Sequence, residues 1–429
     1  MARFSRTQTW ALAVLTVALA LGAASTAVAQ ETTGRLVGQV TLRTDQSPLP
    51  GVAVEALHVP TGTRYASVTA ANGRFSILNV RVGGPYTITA TISGFRPATQ
   101  KEITVGLGES RSVNLALELE SVTEAVVVTA ESTPLISPDR MGTTAAVSED
   151  QIKALPTVRR QIQDFARTNP YFSNDTADQS GTRLNVAGKN NRYNTIQIDG
   201  AVNNDLFGLS GSGTPGLAAP ISLDAVQEFQ LVVAPYDVRY GGFTGAGLNA
   251  ITRAGTNTFL GSAYYFGRNQ NFVGYGPDNY KYSDFGDAQA GLRIGGPIVK
   301  DKLFFFLSAE IGRRNSPTTF IINDSGTSND FGGANVSVAD AQRFVSILKN
   351  KYGYDPGAFG EGYKKPISNN DKLFFRVDYN ISNKHRLTLR HNYISGSVDN
   401  QPSKASSSVF PFGDVFYQLS NKTNATVLQ

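Results

Sequence analysis

Leu303-Phe304-Phe305-Phe306-Leu307-Ser308-Ala309-Glu310-Ile311-Gly312 places an apolar residue at every odd position, with Ser308, Glu310 and Gly312 interleaved towards its end. A repeat of two is the side-chain period of a β-strand. Upstream, across the turn Pro297-Ile298-Val299-Lys300-Asp301-Lys302, the same beat runs through Ala288, Ala290, Leu292 and Ile294, alternating with Gln289, Gly291, Arg293 and Gly295. Downstream it returns at Leu373, Phe375, Val377, Tyr379 and Ile381, interleaved with Phe374, Arg376, Asp378 and Asn380. After Ser382-Asn383-Lys384, Leu387 and Leu389 alternate with Arg386, Thr388 and Arg390. Segments of about ten residues with an apolar and a polar face are the signature of a transmembrane β-barrel. Charges every second residue would be costly in a dry sandwich core but are natural in a wet lumen. Leu292, Ile294, Phe305, Leu307, Phe375 and Val377 are therefore expected to face lipid, and Arg293, Glu310, Arg376 and Asp378 to face inward. A slip of one residue would put each of those charges in hydrocarbon. On this register Leu307→Arg should impair assembly and Ser308→Arg should be tolerated.

The rest of the chain fits an exported, all-β protein. Of 429 residues, 41% are hydrophobic and only 17% charged, with 42 Gly, 24 Phe and 17 Tyr, a balance suited to many turns and half-buried strands. Arg3 and Arg6 precede an apolar run from Trp10 to about Ala24 and then Ser25-Thr26-Ala27-Val28-Ala29-Gln30, the layout of a signal peptide over 1–29 cleaved after Ala29. That run is shorter than the ~20 residues of a spanning helix. Cysteine is absent, which excludes disulfides, thiolate zinc sites and Cys nucleophiles. The net charge of +5 is spread without a basic run, so no nucleic-acid partner is expected. The short turns near 299 and 383 are expected on the periplasmic side. The excursion from Ser316 to Lys365 is expected outside, with a helix over Ala339–Lys351.

Residues 31–118 read as a small β-sandwich. Short alternating runs at Leu36–Leu42, Val52–Leu57, Tyr65–Thr69, Arg74–Leu78, Tyr86–Ile92 and Ser112–Leu117 are joined by turn residues such as Asn72-Gly73. Pro50-Gly51-Val52, Asn72-Gly73-Arg74-Phe75, Tyr86-Thr87-Ile88 and Gly94-Phe95 resemble the carboxypeptidase regulatory-like domain, a family associated with a carbohydrate-binding-like fold. His58 is its only histidine and no zinc-binding pair accompanies it, so peptidase chemistry is not expected. Tyr65, Phe75, Tyr86 and Phe95 are either sugar-stacking or core residues, with the core reading favoured.

Residues 121–140 form a linker closed by Pro134 and Pro138. Its centre, Glu124-Ala125-Val126-Val127-Val128-Thr129-Ala130, is extended by composition and resembles a TonB box, the handle by which a periplasmic energy-transducing protein of the TonB type pulls on outer-membrane receptors. Over 141–254, Ser148 and Gln151 have capping-box spacing at the start of a short helix. Strands are expected at Leu184–Gly188, Asn194–Gly200 and Gln230–Val233, the last entered through a helical turn over Asp224–Phe229. Tyr240-Gly241, Gly245, Gly247, Asn249 and Ile251-Thr252-Arg253 follow in order. These residues resemble the end of the plug domain of TonB-dependent outer-membrane receptors. Asn190-Asn191-Arg192-Tyr193-Asn194, Asp199-Gly200 and Glu228-Phe229, with the N-terminal sandwich, are most similar to the Oar-like subfamily.

The fold class is thus all-β with a small α+β plug: sandwich, plug, then from 255 to 429 the first six or seven strands of an antiparallel transmembrane barrel. Closing a barrel around a plug takes about 22 strands, so the chain reads as the N-terminal part of a longer receptor. The resemblance implies import of a ligand (siderophore, vitamin, glycan or peptide) through the plugged barrel, with outer-membrane lipid and a TonB-type protein as partners and no cofactor. A non-transporting surface protein for adhesion or polysaccharide binding is the alternative. No catalytic or metal constellation is present. Gly211-Ser212-Gly213-Thr214-Pro215-Gly216 fits a dinucleotide fingerprint but lacks the strand–helix context. Asn190, Asn191, Arg192, Asn203, Asn204 and Asp205 form the densest polar cluster, and two readings stay open: a substrate path through the lumen, or asparagines holding plug turns.

Overall fold

The computed structural model describes residues 33–119, 143–157, 160–174, 183–205, 213–214, 219–233, 244–275, 284–316, 336–357, 366–382, 385–400, 412–415 and 417–429. The leader, the box-like segment 124–130, Tyr240-Gly241 and most of the glycine fingerprint at 211–216 lie outside these residues.

Nine strands make the sandwich: β1 (Thr33–Leu42), β2 (Ala53–His58), β3 (Thr63–Val68), β4 (Arg74–Arg81), β5 (Gly83–Thr91), β6 (Phe95–Arg96), β7 (Ala98–Val105), β8 (Ser110–Ser112) and β9 (Leu115–Leu119). One sheet has the order β4-β1-β9-β6 with β8 beside β1, and the other β3-β2-β5-β7. Leu36, Val40, Val54, Ile77, Ile88, Ile103 and Leu117 fill the space between them. Phe75 and Tyr86 are buried in this core, and Tyr65 and Phe95 pack against it. His58 is buried too: its Nδ1 lies 2.7 Å from Thr61 Oγ1, its ring centroid 4.8 Å from that of Tyr86, and burial depresses its pKa to about 3. A neutral imidazole in an aromatic core is a packing residue. Strand β7 escaped the sequence reading because Gln100, Lys101 and Glu102 break its apolar alternation.

The plug comprises β10 (Thr143–Val147), α1 (Glu149–Ala154), α2 (Ile162–Ala166), β11 (Phe172–Asn174), β12 (Leu184–Val186), β13 (Thr195–Ile198), β14 (Ala201–Val202), β15 (Val226–Val233) and β16 (Ala246–Thr252). Its sheet has the order β10-β15-β16-β13-β14, and β11 and β12 pair as a separate ribbon. Ser148 caps α1 in a reciprocal capping box with Gln151, as the spacing predicts. The helical turn expected over Asp224–Phe229 is shorter than the sequence suggested. A single 3₁₀ turn spans Leu223–Ala225, and β15 begins at Val226 because Glu228 and Phe229 pair with Ile251 and Ala250.

Six antiparallel strands follow: β17 (Leu260–Asn269), β18 (Gly286–Val299), β19 (Leu303–Asn315), β20 (Ile367–Asn380), β21 (Arg386–Asn400) and β22 (Tyr417–Leu428). They form one sheet in sequence order. Short turns join β18 to β19 and β20 to β21 at one end, and at the other end the β19–β20 excursion carries α3 (Val338–Tyr352). Ser337 caps α3 and Gly353 ends it in the left-handed region (φ 66°). No helix among the described residues is long and apolar enough to cross a membrane.

The face assignment follows the expected register: Leu292, Ile294 and Phe375 are exposed on the outer face, whereas Glu310 and Asp378 are buried against the plug side. The inner face is less polar than expected. Phe304, Phe306 and Phe374 all point inward, and the last two join the plug core formed by Phe165, Phe229, Ile198 and Leu248. Ser308 is 1% exposed, so the lumen there has no room for an arginine and the expected tolerance of Ser308→Arg is withdrawn. A filled lumen replaces water with plug side chains, and inward residues at that depth behave as core.

Candidate functional site: the seam between plug and wall

The plug meets the barrel wall through three polar clusters. The first centres on Asp199, in the turn after β13 with φ 44°. Its carboxylate accepts from the Thr252 backbone N–H at 2.7 Å, the Thr252 hydroxyl at 2.6 Å and Arg390 Nη1 at 2.8 Å. Arg376, on the wall, donates to Thr252 Oγ1 at 2.7 Å and through Nε to Asp378 Oδ2 at 2.8 Å. Asp378 also accepts from Thr388 Oγ1 at 2.9 Å and from Arg81 of the sandwich at 3.1 Å. Plug, wall and sandwich thus share one buried charge network. Alternation along β20 and β21 puts Arg376, Asp378, Thr388 and Arg390 on the inner face together.

The second cluster surrounds Glu310. It accepts from Lys372 Nζ at 2.7 Å, Tyr264 Oη at 2.6 Å, Gln289 Nε2 at 3.0 Å and the plug's Ser222 Oγ at 2.7 Å. The third joins Arg160 to Asp224 at 2.9 Å, Ser262 to Asp224 at 3.3 Å, and Arg293 to Ser262 at 2.8 Å. Buried charges survive only when paired and hydrogen-bonded, and Asp199, Asp378 and Glu310 each meet that condition.

The sandwich docks at the short-turn end. Val82, Leu107 and the plug's Ile251 form a small apolar cluster. Gln230 Nε2 donates to Leu107 O at 3.3 Å, and the Leu107 N–H donates to Glu228 Oε1 at 3.4 Å. Burial, reinforced by Glu109 and opposed by that N–H, pushes the Glu228 carboxyl up to about 7. Towards the wall, Asn257 N–H donates to Pro60 O at 2.7 Å and Asn380 Nδ2 to Thr63 Oγ1 at 3.1 Å. Gly62 (φ 65°) lies so near Asp301 that a Cβ would fall 2.0 Å from its Oδ1. Only glycine allows that approach.

The asparagine cluster holds plug turns. Asn190 Oδ1 caps the 3₁₀ turn Asn191–Tyr193 by accepting from Arg192 N–H at 3.0 Å. Asn204 Oδ1 accepts from Ile196 N–H at 2.8 Å, and its Nδ2 reaches Asn194 O at 3.3 Å. Asn191 and Asn203 are buried, Asp205 N–H bonds Gly213 O at 2.9 Å, and Arg192 is exposed. The residues are brought together, but by local turn geometry. Asp199, which the sequence reading did not single out for the wall, grips it through Arg390. Arg81 carried no sequence signal, because its partner lies 297 residues away. Among the described residues no group of three or more His, Cys, Asp or Glu is placed to hold a metal.

Two family models match the chain: a carboxypeptidase regulatory-like domain over 35–118 and an outer membrane beta barrel domain over 251–428. A curated relative, the TonB-dependent transporter Oar of Myxococcus xanthus, is 29% identical over 313 residues, covering 68% of this chain and 27% of that protein. The chain therefore spans about a quarter of that relative's length. Among solved structures, the outer membrane transporter YddB of Escherichia coli is similar at a TM-score of 0.46 and 15% identity, over 66% of this chain and 36% of that one. The ferric enterobactin receptor PfeA of Pseudomonas aeruginosa is similar at 0.43 and 13%, over 67% and 38%.

Proposed function

We propose that this chain, which matches an outer membrane beta barrel model over 251–428 and is 29% identical to a TonB-dependent transporter, imports a ligand by displacement of its plug. In this reading the sandwich (31–118) stands on the periplasmic side, and a TonB-type protein pulls on the linker at 121–140 through Glu124–Ala130. The plug (141–254) then leaves the barrel that starts at 255. The observation that carries the reading is the seam. Beside the apolar contact of Phe306 and Phe374 with the plug core, the plug is held to the wall by charged and hydroxyl groups such as Asp199, Thr252 and Ser222, opposite Arg390, Arg376 and Glu310. Polar contacts can be replaced by water when the plug moves, so opening forfeits little net energy per bond. A seam of interdigitated aliphatic residues would not re-wet at comparable cost. The chain is read as a transporter and not as an enzyme, in line with its relative. The test is deletion of Glu124–Ala130 in the full-length receptor, with uptake measured in cells grown on defined iron, vitamin and glycan sources. Loss of uptake with normal outer-membrane assembly is expected. Unchanged uptake would reject active import and favour a surface-adhesion role.

A further inference from the structure

Between α1, the segment around Arg160 and the long-loop half of β17–β20 lies a cavity of about 890 Å³, within the range of small-molecule sites. Its lining is unusually basic. Lys153 and Arg253 share a single carboxylate, Glu149, at 2.6 and 2.8 Å. Arg160, Arg268 and Arg313 each have one acidic partner, in Asp224, Asp287 and Asp371. Arg293 is held by neutral oxygens alone, Ser262 Oγ and the Asp224 carbonyl. Arg314 is held by its backbone in the ladder with Asp287 and Ser368, and its guanidinium has no hydrogen-bond or ion-pair partner among the described residues. Among the described residues, the seven lining cations thus pair with four carboxylates, an excess of three positive charges. Beside them Phe266, Leu155 and Leu223 supply apolar wall, and the Arg160 guanidinium lies 4.5 and 4.6 Å from the ring centroids of Tyr264 and Phe266.

We propose that this cavity binds a soluble ligand carrying two or more carboxylate or phosphate groups, with Arg293 and Arg314 as its principal contacts. The proposal rests on the transporter reading and specifies the substrate class. Guanidinium groups that line a partly water-excluded pocket with hydrogen-bond donors left over suit planar oxyanions. A neutral glycan or an uncharged peptide would leave those charges unmatched. Stacking Arg160 on two rings holds its plane fixed while one face of the cavity stays apolar.

The test uses the full-length receptor, purified in detergent and freed of lipopolysaccharide, titrated calorimetrically with citrate, inositol hexakisphosphate and, as neutral control, myo-inositol. At least one anion should bind, more weakly at high salt, and myo-inositol should not. R314Q and R293Q should each weaken binding about tenfold, while R96Q on the sandwich leaves it unchanged. Heat-modifiable gel mobility checks that each variant is assembled. No binding by either anion, or binding indifferent to both lumenal substitutions, would overturn the proposal. The two readings fail separately: anion binding that survives alongside box-independent uptake removes import but keeps the site.

Discussion

Arg81, at the end of a sandwich strand, and Asp378, on the inner face of the barrel wall, form an ion pair of 3.1 Å with both side chains nearly inaccessible (9% and 1% exposed). Asp378 is already served by Arg376 and Thr388, so the sandwich is plugged into the charge network that also grips the plug. A domain attached only by a linker would make no such contact. The sandwich should therefore be a fixed strut at rest. Since the chain has no cysteine, the pair Thr63→Cys/Asn380→Cys reports on this directly. Oxidation should cross-link the full-length receptor nearly completely, and Arg81→Ala should cut the yield several-fold. Equal yields with and without Arg81 would show that the ion pair does not position the domain.

How much of this was legible in the sequence differs between strands and seam. The barrel register could be read because period two leaves a visible trace in Leu303–Gly312 and Leu373–Ile381. The capping box at Ser148 was legible because it is local. Alternation put Phe304, Phe306 and Phe374 on the inner face, but it says which residues share a face and not what that face touches, so the packing of Phe306 and Phe374 into the plug core was not legible. Asp199–Arg390 and Arg81–Asp378 join residues about 200 and 300 positions apart, and no local pattern encodes such pairs.

Glu228 makes the plug–sandwich contact sensitive to pH. Its carboxyl is raised from an ordinary 4.5 to about 7. The docked state keeps a proton that the unfolded chain has released across that window. Its contribution is complete below about pH 4.5 and is lost as the pH rises through 7, amounting to at most ~3 kcal/mol. Glu228→Gln should flatten this dependence. His58, depressed to about 3, acts in the opposite sense, its contribution being lost as the pH falls below 6.5. The relevant quantity is therefore wild type minus variant. The protection factor of the Leu107 amide, which removes the intrinsic base catalysis of exchange, should fall between pH 5 and 8 in the wild type and stay level in Glu228→Gln. A parallel response in Glu228→Gln would rule out this carboxyl as the origin.

Leu307 and Ser368 lie on opposite faces of the wall: Leu307 alternates with the buried Phe306 and Ser308, while Ser368 lines the basic cavity. Arginine on the lipid face near mid-depth costs ~2–4 kcal/mol, whereas at Ser368 it meets open, polar space and only the solvent-screened repulsion of Arg314 across the ladder, worth about 1 kcal/mol at most. Leu307→Arg should reduce assembled receptor in the outer membrane, and Ser368→Arg should leave it near wild-type levels by heat-modifiability. Similar defects from both would invalidate the register.

Asp199 is the plug residue whose loss should do most damage. Three donors converge on its carboxylate, two from Thr252 in the last plug strand and one from Arg390 in the wall. Arg390 is itself 4% exposed at the side chain. Asp199→Ala leaves a buried guanidinium without its counter-charge, a change worth about 3–5 kcal/mol. Exchange at the Thr252 amide should rise by two orders of magnitude or more, and cells carrying the full-length variant should become sensitive to large antibiotics such as vancomycin. The double variant Asp199→Ala/Arg390→Met separates two causes. If the cost is the stranded charge, removing it should restore most of the protection, because a pair deleted together is far cheaper than one partner deleted alone. If the cost is the lost bonds to Thr252, the double variant should be as loose as the single one, and the seam's strength would then lie within the plug itself.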